Sequence, residues 1–327
     1  MNNLLRDRMF RDAQGGPLCP QGSVVCIGAF DGLHLGHRAL LGHAVARARA
    51  TDVPAVALSF EPLPREFFAR DAKPPRLMLP RAKVQGLFGS GIDRIGLLRF
   101  NAALAAMSPE QFVQRLLVSR LAAREVWVGP EFRFGKGRVG DLSTLQALGA
   151  EHGFAAGAID PVELGGERVS STRIRAALGQ GDFGLAARLL GAPYAIGGRV
   201  VRGSQLGRTL GFPTANLRFG NKTPALRGIY ATRVHGVGAQ PWPSVSSFGT
   251  RPTIDGTEPL LEAHLFDFDG DLYGRRIEVE FVARLRDEEK FPDLPTLVAQ
   301  MHRDAAQARA VLQQNSLPQP APRRASA

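Results

Sequence analysis

At 327 residues, 44% of them hydrophobic, the chain can bury a sizeable core and is long enough to divide into two domains. Its apolar runs are short and broken by charge, and MNNLLRDRMF at the N-terminus lacks the apolar centre of a secretory signal, which predicts a soluble protein of the cytoplasm with no spanning helix. The net charge of +11 is spread over both halves without a basic stripe, so no nucleic-acid polymer is expected as partner, and Cys19 and Cys26 alone make neither a disulfide framework nor a CxxC site.

From residue 23 to about 162, runs rich in β-branched or aromatic residues alternate with helical patterns. SVVCIGAF (23–30), AVALSF (55–60), DRIGLLRF (93–100), EVWVG (125–129) and GFAAGAID (153–160) read as strands. RALLGHAVARARA (38–50), RAKVQGLFGSG (81–91), SPEQFVQRLLVSRL (108–121) and LSTLQALGAEHG (142–153) read as helices. That order predicts an open parallel sheet covered by helices, with ligands at the carboxyl ends of its strands, where IGAFDGLHLGH (27–37) and VGPEFRFGKGR (128–138) fall.

Two helices, STRIRAALGQG (171–181) and DFGLAARLLGAP (182–193), come next. From Tyr194 to Ala283 the texture changes to β-type runs, YAIGGRVV, GIYATRVHG, LEAHLFDF and RIEVEFVARL, separated by Gly, Pro, Asn and Asp turns. No helical period there is long enough to return a parallel strand, so a small antiparallel barrel is expected. TLVAQMHRDAAQARAVLQQ (296–314) reads as one amphipathic helix, and NSLPQPAPRRASA as a disordered tail.

In IGAFDGLHLGH a loop leaves a strand and opens a helix. Such a loop can aim backbone N–H groups and the helix dipole at phosphate, with Gly28, Gly32 and Gly36 allowing close approach. His34 and His37 are three apart and can share a face if the helix starts near His34. In SSTRIR (170–175), Ser171 or Thr172 can cap a helix start while Arg175 projects a guanidinium at the same anion. In GRTLGFPTAN (207–216), Pro213 fixes one wall of a loop while Thr214 and Asn216 offer oxygen ligands two residues apart, an arrangement suited to a hard cation. Strand alternation puts Glu262 and His264 on one face and Leu261, Ala263 and Leu265 on the other.

GAFDGLHLGH resembles the GxFDGxHxGH motif of the HxGH nucleotidyltransferases, and SSTRIR resembles their second motif. VGPEFRFGKGR and FEPLPREFF (60–68) are similar to segments of the flavin-adenylylating branch, with Pro130, Glu131 and Leu63 departing from its usual residues. GRTLGFPTAN, GTRPT (249–253), LEAHLFDF, DLYG (271–274) and LRDEEKF (285–291) together resemble the riboflavin kinase domain, with Ser247 where that family usually has Asn. The whole resembles the bacterial bifunctional riboflavin kinase/FAD synthetase family.

The resemblance implies a Rossmann-like parallel-sheet nucleotidyltransferase domain at 1–182, a small antiparallel β-barrel kinase domain with a C-terminal helix at 183–311, and a disordered tail at 312–327. It implies riboflavin, FMN and ATP as small-molecule substrates, FAD as product, and Mg²⁺ in both steps. His34, His37 and Arg175 would serve adenylyl transfer, with Gly28, Phe30, Asp31, Gly32, Gly36, Glu131, Ser171 and Thr172 around the nucleotide. Glu262 would be the base of the kinase, Thr214 and Asn216 would hold Mg²⁺ and ATP, and Arg208, Thr209, Arg251 and Arg286 would contact flavin. The rival readings are transfer to another phosphorylated acceptor, a flavin carrier without turnover and, from the basic charge, a nucleic-acid binder.

Overall fold

The computed structural model describes residues 8–70, 73–203, 206–220, 222–253 and 256–315; side chains between 250 and 257 are not among those described. Two compact units divide the chain. One runs to Ala176 and takes back Ala187–Ala192; the other takes Ala177–Ala186 and everything from Pro193. The chain therefore changes unit three times between 176 and 193, where the sequence suggested one boundary at 182/183.

The first unit is built on a six-stranded, all-parallel sheet. Its elements are β1 (Met9–Phe10), β2 (Ser23–Ile27), α1 (Leu35–Ala50), β3 (Ala55–Glu61), α2 (Pro80–Gly89), β4 (Arg94–Arg99), β5 (Ala123–Val128), α3 (Leu142–His152) and β6 (Ala155–Ala158). The strand order is β1-β4-β3-β2-β5-β6. From β2 the chain first builds outward through β3 and β4, then crosses back to place β5 on the other side of β2. The crevice between the carboxyl ends of β2 and β5 is the switch point at which such sheets bind ligands.

Every residue of β2 is buried because helices cover both faces of the sheet. Period-two alternation sends Val25 and Ile27 into a core with Val56, Leu58 and Leu116, and Val24 and Cys26 into another with Leu41, Ala44 and Leu87. The segment read as one helix over 108–121 is a short α-turn, Pro109–Phe112, that widens into π-helix over Val113–Val118. The two-residue β1 carries too little pattern to be read from sequence. Two further helices, α4 (Ser171–Gly179) and α5 (Phe183–Leu190), have residues in both units.

The second unit is an antiparallel sheet of β7 (Ala195–Arg199), β8 (Ala215–Arg218), β9 (Gly228–His235), β10 (Trp242–Thr253), β11 (Gly256–Leu265) and β12 (Arg276–Arg286), ordered β8-β11-β10-β9-β12-β7. An isolated antiparallel bridge between Val201 and Asn216 brings the two edges together, nearly closing a barrel. Helix α6 (Leu294–Gln314) lays Ala308 and Leu312 on Ala231, Val245 and Phe266. It ends at Gln314, as the helical reading of 296–314 has it, and three residues past the start of the tail in the domain division; residues 316–327 lie outside those described.

Gly96 on β4 lies under Leu58 and Phe10; a β-carbon there would stand 2.4 Å from Leu58 Cδ2 and 2.6 Å from Phe10 Cζ. Gly96→Val is expected to destabilise the chain by about 1–3 kcal/mol through overpacking, measured as a lower urea midpoint with unchanged far-UV circular dichroism.

Candidate active sites

After β2 the backbone turns sharply. The Gly28 N–H donates to Leu58 O at 3.0 Å, and Phe30, Gly32 and Leu33 then take left-handed φ values of 48°, 96° and 46°. Gly32 is also required sterically, since a β-carbon there would meet Leu77 Cδ1 at 2.9 Å. Left-handed Phe and Leu are strained by roughly 1–3 kcal/mol each and persist only where their surroundings dictate it.

Asp31, 1% exposed, supplies that constraint. Its Oδ1 accepts from the Leu77 and Met78 N–H groups at 3.1 and 3.2 Å, and its Oδ2 accepts from Arg65 at 2.9 Å and from Arg175. The Ser171 hydroxyl donates to the Asp31 carbonyl at 2.8 Å. Asp31, Phe30, Gly32 and Arg175 therefore shape the loop from behind. Arg175 was expected to face an anion; its guanidinium instead joins Asp31 and the Pro75 carbonyl.

The helix-start expectation for SSTRIR needs correcting by one residue. Ser170, not Ser171 or Thr172, accepts from the Arg173 N–H at 3.2 Å, because a capping side chain must precede the first helical residue, here Ser171. Helix α1 starts at Leu35 with His34 as its cap, Nδ1 accepting from the His37 N–H at 3.3 Å.

The two imidazoles stack at 3.7 Å between centroids. Burial, helped by the positive charge of Arg168, pushes His34 down to about 4, and burial with neighbouring His34 and Lys83 holds His37 well below the usual histidine range. Both rings are thus neutral near pH 7. With Nδ1 of His34 accepting, its proton sits on Nε2, which makes that nitrogen a donor.

A cavity of about 350 Å³ opens beside these rings, lined by Gly28, Gly36, His34, His37, Glu131, Ser171 and Thr172 of the expected set. It also takes in Ala29, Asp160, Ser170 and Arg168. Arg168, paired with Glu131 at 2.5 Å, carried no signal in the sequence beyond lying two residues before SSTRIR. Leu63 is a buried helix cap whose N–H donates to Glu66 at 3.0 Å, and Pro130 lines the cavity beside Glu131.

In the second unit, Asn216 on β8 is register partner to Glu262 on β11, which also pairs with Ser247 on β10. The alternation of β11 is as the sequence implied: Leu261, Ala263 and Leu265 are buried, Glu262 and His264 less so. Thr214 Oγ1 donates to Glu262 Oε1 at 3.4 Å. His264 Nδ1 lies 2.9 Å from the Pro213 carbonyl and holds the PTAN turn, while burial lowers the basicity of its ring.

Two cavities share Thr214. One, of about 380 Å³, is walled largely by Leu210, Phe212, Ile229, Val245, Phe291 and Met301, with Ser247, Glu262 and Arg286 as polar members. The other, of about 370 Å³, carries Arg208, Asp269, Asp271 and Tyr273. Arg286 is clamped by Asp304 at 2.9 and 2.7 Å and by Glu289 at 3.3 Å. Thr209 lines neither cavity; its hydroxyl donates to Leu206 O at 2.7 Å within the helical turn Leu206–Thr209. The Arg251 side chain lies outside the described residues.

The residues fit a hard cation. Asn216 Nδ2 donates to Thr214 O at 3.0 Å, which fixes the amide orientation and leaves the buried Oδ1 without a protein partner. Gly203 gives that oxygen room, since a β-carbon there would stand 2.7 Å away. Among the described residues no group of three or more His, Cys, Asp or Glu side chains is placed to hold a metal, so an ion at Thr214 and Asn216 would take phosphate oxygens or water as its other ligands.

Comparison with known proteins gives a consistent result. The FAD synthetase family matches residues 17–173 and the riboflavin kinase family residues 190–312. The bifunctional riboflavin kinase/FMN adenylyltransferase of Escherichia coli K12 is 44% identical, over 88% of this chain and 92% of its own. That of Pseudomonas fluorescens is 45% identical, over 89% and 93%. A solved structure from Streptococcus pneumoniae, described as a macrolide-efflux protein, aligns with a TM-score of 0.75 at 29% identity, covering 94% of this chain and 99% of that one. Among the described residues no helix is long and apolar enough to cross a membrane.

Asp31→Ala removes the carboxylate shared by two guanidiniums and two backbone donors. A loss of about 3–5 kcal/mol is expected, toward the lower figure because the Arg65 side chain is 39% exposed, read as a reduced denaturation midpoint.

Proposed function

The chain belongs to the family of bifunctional riboflavin kinase/FMN adenylyltransferases, and on that premise we propose how its residues divide the work. The C-terminal domain phosphorylates riboflavin to FMN with ATP, and the N-terminal domain adenylylates FMN to FAD with release of pyrophosphate. We assign both reactions to the cytoplasm, where the ATP that each consumes is at hand.

Adenylyl transfer is carried out in the cavity at the switch point. The acceptor phosphate of FMN, with a second pKa of about 6, is already largely dianionic near neutrality and needs no base. What the α-phosphorus requires is in-line approach and neutralisation of the departing pyrophosphate. His34 Nε2–H, the first N–H groups of α1, Thr172 and Arg168 supply donors for that charge, and His37 stacks His34 in place. Gly28 and Gly36 let the backbone approach, and Glu131 orients Arg168. Ser171, Asp31 and Arg175 act through the loop they hold. The exposed ring cluster of Phe67 and Phe68 against Phe100 offers an apolar seat for the flavin.

Riboflavin phosphorylation starts from a neutral alcohol, so a base matters. The observation that carries the kinase reading is that Thr214 lines both barrel cavities with Glu262 beside it. The apolar cavity takes the isoalloxazine, with Ser247 and Arg286 at its polar edge. The polar cavity takes the ATP phosphates, and Arg208 belongs on that side. Glu262 accepts the proton of the ribityl 5′-hydroxyl where the two meet. Thr214 and Asn216 would hold Mg²⁺, which would neutralise phosphate charge.

A chromatographic time course from riboflavin, ATP and Mg²⁺ tests the assignment: FMN should precede FAD, and flavin bound without turnover would favour a carrier. His34→Ala is expected to slow FAD formation from FMN about 10²–10³-fold, the scale of one lost transition-state donor, and His37→Ala to slow it by freeing the His34 ring, with riboflavin phosphorylation intact in both. Equal loss of both activities would point to misfolding instead. Glu262→Gln should slow phosphorylation about 10²–10⁴-fold while FAD synthesis from supplied FMN continues; a near-normal kinase rate would assign the base elsewhere.

A further inference from the structure

Lys83, on α2, is completely buried. Lysines reach such positions only when paired, yet the three hydrogen bonds of its ammonium go to neutral oxygens: Ala29 O at 2.8 Å, Ser59 Oγ at 3.2 Å and Phe60 O at 3.3 Å. Three acceptors match the three donors of a protonated amine. Ser59 Oγ itself donates to Ala29 O at 3.1 Å, so the Ala29 carbonyl is held twice. Ala29 and Phe60 are residues at the carboxyl ends of β2 and β3, and Ala29 lines the cavity beside His34 and His37.

The peptide joining Ala29 to Phe30 explains why a buried charge would be kept there. In a trans peptide the C=O and N–H point in opposite directions. Drawing the Ala29 carbonyl down onto Lys83 turns the Phe30 N–H the other way and favours the left-handed Phe30 that follows.

We propose that Lys83 is a positioning residue for adenylyl transfer, its ammonium anchoring Ala29 and Phe60 so that Gly28 and Ala29, and His34 at the far end of the loop, keep their places on the cavity wall facing the nucleotide phosphates. The inference rests on the assignment of adenylyl transfer to this cavity. It acts through the loop and touches no substrate.

Protonation then controls the anchor. The groups around the amine are Glu61 from the end of β3, Glu66 and Arg76 from the segment after it, Asp31 from the loop and His37 from α1. Burial, with Arg76 adding to it and the three carboxylates opposing, brings Lys83 down to about 8. As pH rises through that value the amine keeps two donors and gains a lone pair, which either faces a carbonyl oxygen or takes the Ser59 hydroxyl hydrogen away from Ala29 O; either way the anchor loses a donor. FAD formation is expected to fall through an ionisation near pH 8, a limb that riboflavin phosphorylation by the same chain lacks.

The experiment uses the full chain and follows kcat and KM for FAD formation from FMN, ATP and Mg²⁺ between about pH 6 and 10, with riboflavin phosphorylation measured on the same samples. Lys83→Met keeps the volume and removes the donors; kcat at pH 7 should drop on the order of 10²-fold, the scale of an ångström of misplacement, and the alkaline limb should vanish. A purely structural lysine would lower the melting temperature of the variant and leave kcat and the limb in place, which overturns the proposal. The wild-type profile decides independently of whether the variant folds: FAD formation that stays flat through pH 8 overturns it as well. Absence of FAD at every pH in the wild type would instead overturn the adenylyl-transfer reading, and this inference with it.

Discussion

The carboxylate of Asp31 is the constraint around which the first unit's ligand site is arranged. One buried side chain accepts from the Leu77 and Met78 backbone, from Arg65 and from Arg175, so β2, the segment after β3 and the start of α4 converge on a single point. Behind it, fully buried Arg76 bridges Glu61 at 2.8 Å and Glu66. Ion pairs of this kind are poor sources of net stability because desolvation offsets most of their attraction. Their use here is geometric: they hold Phe30 and Leu33 in left-handed conformations that an unsupported loop would leave.

The two sites answer two different chemical demands. For the dianionic acceptor the proposed assignment uses neutral imidazoles and backbone donors, and burial keeps both histidines uncharged beside Arg168. For the neutral alcohol it uses Glu262, a carboxylate on the polar face of a strand, paired in register with Asn216 and Ser247. Parallel and antiparallel sheets suit these tasks for topological reasons. The first offers a crevice at the carboxyl ends of β2 and β5. The second, nearly closed on itself, offers short polar rows facing outward between buried ones.

The sequence by itself determined the periodicities, and hence the parallel sheet, the antiparallel barrel and the long terminal helix. Local spacing was also sufficient to place His34 at a helix start, Glu262 on the polar face of its strand and Thr214 next to Asn216, because each depends on neighbours a few residues away. Strands as short as Met9–Phe10, and the edge strand Ala215–Arg218 hidden in a turn-like string, lacked enough residues for a pattern.

Only the tertiary structure decided which partners these residues meet. Arg175 meets Asp31 across 144 positions, Lys83 meets Ala29 across 54, and Glu262 meets Thr214 across 48. Arg168 enters the first cavity, and Thr214 stands between two others. No local pattern encodes such pairs: a guanidinium or an ammonium is satisfied by any acceptor at the right distance, and which one it finds is fixed by how the strands and helices pack.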